Sequence, residues 1–179
     1  MSGAVCSSPA LDSAGTVYFG SDGGRVTALY PDGTLKWSYL AGGSIGWSSP
    51  AIGADGNIYI GSDGGLLYAI DSSGSRAWRY WTAKQAGHST PAVAADGTIY
   101  FSRHGGNLYA LSPTGSLKWT HHTGAQWCWS PAIAADGTVY FGSESCLYAI
   151  WGSQPLADTP WPKFHHDNKN TGRVGGGQR

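Results

Sequence analysis

Apolar and polar residues alternate in short runs along the whole chain, and none of these runs carries the three-and-four apolar spacing of an amphipathic helix. The runs recur. Ser7-Ser8-Pro9-Ala10 returns as Ser48-Ser49-Pro50-Ala51, Ser89-Thr90-Pro91-Ala92 and Trp129-Ser130-Pro131-Ala132, so the prolines are spaced by 41, 41 and 40 residues. Nine residues after each proline stands a tyrosine, Tyr18, Tyr59, Tyr100 or Tyr140, inside a strand-like run such as Asn57-Ile58-Tyr59-Ile60-Gly61. Within each unit four runs, A to D, can be read. Run A follows the proline. An Ala-Asp-Gly turn such as Ala54-Asp55-Gly56 leads to run B around the tyrosine, and a Gly-Gly turn leads to run C, as in Leu67-Tyr68-Ala69-Ile70. Run D carries Trp37, Trp78 or Trp119. Four antiparallel strands in about 41 residues predict a propeller blade. The fold class is therefore all-β, a β-propeller of four-stranded antiparallel blades.

Composition agrees with this and adds exclusions. Charged residues are only 12% of the 179, with a single Glu (Glu144) against 28 Gly, 10 Tyr and 9 Trp, which leaves little to cover exposed helix faces. Eleven basic and eleven acidic residues cancel, so no long-range field draws in nucleic acid, and no segment reaches the apolar length of a membrane span. Met1 to Cys6 lacks the charged start and apolar run of a signal peptide, and compartment is left unassigned. Cys6, Cys128 and Cys146 are too few and scattered for a disulfide framework.

Ala28 to Trp37, Ala69 to Trp78 and Ala110 to Trp119 share the pattern Ala-x-x-x-x-(x)-Gly-x-x-x-Trp. It resembles the tryptophan-docking motif of the pyrroloquinoline-quinone-type (PQQ-like) β-propeller repeat, and the Ser-Ser-Pro-Ala, Asp-Gly-Thr-Val-Tyr-Phe-Gly-Ser and Leu-Tyr-Ala-Ile runs resemble the rest of that repeat. The resemblance covers residues 6–150. The segment from Pro160 to Arg173 also resembles one that flanks such repeats in bacterial proteins. The family implies a structural role for the repeated Trp between blades, and for many members a place in the bacterial cell envelope.

The repeats span residues 1–164, in blades of about 6–40, 47–82, 88–123 and 128–164, with an irregular tail at 165–179. Trp161 lies 42 residues after Trp119, so Thr159 to Phe164 is expected as an irregular outer strand of blade four. From Lys169 onward a loose tail is expected. Four blades is the low end of the propeller range, and three arrangements are open: a closed ring, a half-ring completed by a second copy to eight blades, or part of a longer propeller. The last two are favoured together over the first.

Candidate chemistry lies where position repeats but residue type varies. Three residues before each proline stand Cys6, Trp47, His88 and Cys128, at the start of the innermost run, where they would ring one mouth of the central channel. With Gln126, Trp127 and Trp129 nearby, a flat ligand such as a sugar or a quinone could stack there. The plain alternative, side chains that plug the channel or pack under loops, is preferred. A metal site from Cys6, His88 and Cys128, or from His165-His166-Asp167, has no short-range ligand spacing behind it. Adjacent histidines on an extended strand point to opposite faces, in His121-His122 and His165-His166 alike. The Asp-Gly pairs are turns, since the further ligands of a calcium loop are missing.

PQQ-dependent members of the family hold the cofactor with calcium, acidic and amide ligands, a catalytic Asp and, in some, a disulfide between adjacent cysteines. This chain has no adjacent Cys pair, and its only Glu, Glu144, falls in the shortened turn between runs B and C of blade four, so PQQ with calcium is disfavoured, and catalysis with it. Two functions are carried forward: a non-catalytic binding or scaffold propeller for protein partners, and a module that binds a quinone or carbohydrate within a larger enzyme. No catalytic residue is assigned.

Overall fold

The computed structural model describes residues 3–168, and no helix occurs among them. Fifteen strands form four antiparallel sheets, each in chain order. Blade one holds β1 (Ala10–Leu11), β2 (Val17–Gly20), β3 (Arg25–Leu29) and β4 (Leu35–Leu40). Blade two holds β5 (Ala51–Ile52), β6 (Ile58–Ser62), β7 (Leu66–Ile70) and β8 (Arg76–Trp81). Blade three holds β9 (Ala92–Val93), β10 (Ile99–Arg103), β11 (Asn107–Leu111) and β12 (Leu117–His122). Blade four has only β13 (Ala132–Ile133), β14 (Thr138–Gly142) and β15 (Leu147–Trp151). The predicted runs B and C of the first three blades are largely buried, and blades two and three have a neighbouring blade packed on each side. Outer strands β4, β8 and β12 alternate between exposed and half-buried positions.

The repeated residues make repeated contacts. The aspartate of each Ala-Asp-Gly-type turn accepts backbone N–H bonds two residues on, as Asp55 does from Asn57 and Asp136 from Thr138. In blades one and two its second oxygen takes the hydroxyl of the repeated tyrosine, Tyr18 donating to Asp12 at 2.9 Å and Tyr59 to Asp55 at 2.8 Å, whereas the Tyr100 hydroxyl meets Ser153. A register shift in every C-to-D pairing sets the small Ala opposite the Trp, in Ala28↔Trp37, Ala69↔Trp78 and Ala110↔Trp119. Each Trp ring then lies 5.7 Å from its blade's tyrosine ring. Trp37 Nε1–H donates to Ser72 O at 3.0 Å and Trp78 Nε1–H to Pro113 O at 2.7 Å, both in the following blade. Gly74 and Gly115 are glycine because these rings cover them: a Cβ would sit 2.7 Å from Trp37 and from Trp78 respectively, and both have positive φ.

Blade four departs from the expected outer strand. Residues 155–162 turn back along the free edges of the innermost strands. Ala95 N–H donates to Pro155 O, Ala157 N–H to Val93 O, Val93 N–H to Pro162 O and Ile52 N–H to Trp161 O. Asn168 reaches Ile133 O in blade four. The two-residue inner strands leave unpaired backbone groups at the channel edge, and this segment satisfies them; pairing there outweighs continuation of blade four. Trp161, 4% exposed, packs with Ala10, Tyr18, Ala28, Ile52 and Ile58 of blades one and two. His165 and His166 have φ of 58 and 76, so the opposite-face expectation for an extended strand does not apply to them. His165 stacks on Phe164 and His166 meets Trp161 edge-on. The loose tail expected from Lys169 lies outside the described residues.

The array ends are unlike its interior. Tyr18, Tyr59 and Tyr100 are at most 2% exposed, while Tyr140 of blade four is 39% exposed and Trp151 beside it 79%. In blade one the turn glycine Gly33, counterpart of Gly74 and Gly115, has nothing within 4 Å of its Cβ position. Among the described residues, no hydrogen bond or core cluster joins blade four to blade one.

Candidate functional site at the channel mouth

The Ser-Ser-Pro-Ala repeat forms a hydrogen-bonded ladder from blade to blade. Ser8 N–H donates to Ser49 Oγ, Ser49 N–H to Thr90 Oγ1 and Thr90 N–H to Ser130 Oγ, at 2.9–3.0 Å. The preceding serines accept from run B, as Ser7 does from Gly20, Ser48 from Gly61 and Ser89 from Ser102. This ladder fixes the backbone and leaves the residue before it free to vary, which is why Cys6, Trp47 and His88 repeat in place and differ in type.

These residues do not form one group. Cys6 is exposed, its thiol 3.7 Å from Asp22. Trp47 is 65% exposed. Cys128 is buried under Thr123, and burial pushes its thiol up, away from a reactive thiolate. His88 and Trp129 are linked through one residue between them: Trp127 lies 6.1 Å from His88 and 6.5 Å from Trp129, ring to ring. His104 completes the cluster, 4.9 Å from His88 and 4.0 Å from Trp127. Sequence reading did not single out His104. The signal was present, since it stands in the register place of Asp22 and Asp63 and breaks a repeated turn.

Burial, then the neighbouring His88, holds the His104 imidazole below its ordinary value, so it is neutral near pH 7. Its Nε2 is buried without a hydrogen-bond partner, as is Asp63 Oδ1, which lies 3.8 Å from His88 Nε2. Beside His104, a pocket of about 400 Å³ is lined by Lys84, Gln85, Gly105 and Gln126. Among the described residues no three His, Cys, Asp or Glu side chains gather as metal ligands, so Cys6, His88 and Cys128 form no site, and the residues do not fit a calcium-held quinone. Aromatic faces, amides and a neutral imidazole are groups that bind.

Comparison with known proteins agrees with the architecture. The family model described as outer membrane protein assembly factor BamB matches residues 2–152. No curated protein matches the chain. The crystal structure of BamB from Moraxella catarrhalis superposes with a TM-score of 0.67 at 22% identity, over 83% of this chain and 47% of that one. The computationally designed Ika4 protein gives a TM-score of 0.73 at 14% identity, covering 86% of this chain and 94% of that one. The WD40 β-propeller domain of Doa1 gives 0.67 at 18%, over 79% and 48%. These likenesses show the fold, and the chain spans about half the length of the Moraxella and Doa1 structures. With its repeats in register and the family model matching from residue 2 to 152, the chain belongs to the BamB-like family of PQQ-repeat β-propellers.

Proposed function

We propose that this chain is a non-catalytic binding module that holds protein partners at the mouth where the B-to-C turns meet the D-to-A connections. The observation that carries the reading is the set of exposed tryptophans there, Trp47, Trp127 and Trp129, on connections anchored by the serine ladder. Exposed tryptophans on a rigid frame cost little ordering entropy and are the residue type that dominates binding hot spots. The family description as an assembly factor supports the same reading. Quantitative pull-down with Trp47→Ala/Trp127→Ala/Trp129→Ala is the test. Proteins retained by the parent chain are lost by the variant at unchanged thermal stability; equal retention refutes the reading.

The pocket beside His104 favours a second reading, a small quinone or carbohydrate ligand. Titration with PQQ without added metal, and separately with monosaccharides, would quench tryptophan fluorescence if it holds.

We further propose that a second copy completes the array, the bare Tyr140 and Trp151 face of blade four meeting blade one of its partner near Gly33. Light scattering reads this directly: a monomer at every concentration refutes it.

A further inference from the structure

The B-to-C turns of blades one and two share one sequence, Ser21-Asp22-Gly23-Gly24 and Ser62-Asp63-Gly64-Gly65, but blade three has Arg103-His104-Gly105-Gly106 at the same register. A serine–aspartate pair has become arginine–histidine. The connection packed on this turn changes too. Asp22, Asp63 and His104 donate their N–H to Ala4, Ser44 and Gln85 in turn, and the residues just before these acceptors are Gly3, Gly43 and Lys84. Only in the connection facing blade three is that residue cationic. Its backbone is fixed: Ala83 has φ 63, a conformation its counterpart Gly124 adopts without a side chain, and Thr82 Oγ1 donates to Lys84 O.

The two cations converge. A Cβ at Gly105 would lie 3.0 Å from Lys84 Nζ and 2.9 Å from Arg103 Nη1, which places the nitrogens within about 6 Å of each other. Arg103 is fixed by bonds from Nε to Tyr109 Oη and from Nη1 to His104 O. Among the described residues no carboxylate pairs with either. Lys84 lines the pocket with Gln85, Gln126 and His104, whose Nε2 is unpartnered. Gathering like charges is unfavourable for the isolated fold, and the sibling turns show that the fold does not need them.

We propose that this pocket binds a carboxylate presented by a protein partner, with an apolar neighbour of that carboxylate lying on Trp127 and Trp129. The inference rests on the partner-binding reading above and names its chemistry. Two carboxylates stand nearby, Glu144, which accepts from Gln126 N–H at 3.3 Å, and Asp63 against His88. They repel a dianionic phosphate more than a single carboxylate, while two cations and an imidazole N–H suit the latter.

The test uses the full chain, a capped hexapeptide with one glutamate between leucines, the same peptide with glutamine, and inorganic phosphate. Binding is followed by calorimetry and by the NMR signals of His104 and Trp127. The glutamate peptide is expected to bind at least tenfold tighter than the glutamine peptide, and more weakly as salt rises. Lys84→Gly/Arg103→Ser/His104→Asp restores residues of the corresponding positions in blades one and two, so it folds, and it is expected to lose at least tenfold in affinity. Equal binding of the two peptides, unchanged affinity in the triple variant, or phosphate binding tighter than the peptide each overturns the inference. If the tryptophan variants still lose their partners in that case, the partner-binding reading stands without the carboxylate; if they do not, both fall.

Discussion

Trp161→Ala tests whether the returning C-terminal segment is part of the core. The ring is 4% exposed among Ala10, Tyr18, Ala28, Ile52 and Ile58, and its carbonyl accepts from Ile52 N–H at 2.6 Å. Removing about 200 Å² of buried aromatic surface at ~25 cal/mol/Å² gives about 5 kcal/mol, at the upper end of the ~3–5 kcal/mol measured for such truncations. For a chain of this size each kcal/mol moves the melting temperature by roughly 2–4 °C, so a fall of roughly 10–20 °C is expected by calorimetry. Trp81→Ala removes the same side chain from a 70% exposed site and is expected to stay within about 0.5 kcal/mol of the parent. Amide exchange gives a local reading, because Ile52 and Val93 donate to Trp161 and Pro162. Both amides are expected to exchange faster in Trp161→Ala. A loss below about 1 kcal/mol together with unchanged exchange at Ile52 would refute the reasoning.

Gly74→Ala and Gly33→Ala carry the same left-handed strain, at φ 88 and 84, but only the first meets a tryptophan ring; urea unfolding is expected to show Gly74→Ala as clearly the worse, by at least about 1 kcal/mol. Acid stability follows from Asp12 and Asp96. Burial alone would raise both carboxyls, but bonds from Thr16, Tyr18 and Ala14, and from Thr98, Ser153 and Lys118, outweigh it and hold them below 3.8. Their contribution is present above that value and is lost as pH falls through the lower folded values. Asp12→Asn is therefore expected to flatten the decline in stability below about pH 4, measured by chemical denaturation across pH. Trp151→Asp in the exposed face of blade four is expected to leave the unfolding midpoint of dilute protein unchanged and to abolish any concentration-dependent dimer in light scattering.

The repeat made most of the fold legible. Runs A to C of every blade, their turns and the three repeated tryptophans all fall where spacing put them, because each is governed by contacts within one 41-residue unit or between adjacent units in fixed register. His121 and His122 also behave as a strand pair, His121 against Tyr148 of blade four and His122 on Asn107. The site was half legible. Position flagged His88 and Trp129, but His104 and Lys84 matter through what they replace, and that is seen only when turn and connection are known to touch.

What the sequence determined by itself was the blade, since alternation and turn chemistry are local and written four times, and the Ala-to-Trp spacing three times. What the tertiary structure decided was the fate of residues outside that pattern. Trp161 sits at nearly the blade spacing, and the period alone assigns it to an outer strand. Yet the open backbone groups of β5 and β9 and the apolar seam between blades one and two offered it more hydrogen bonds and more burial, and a period cannot register competition from a surface assembled by distant residues.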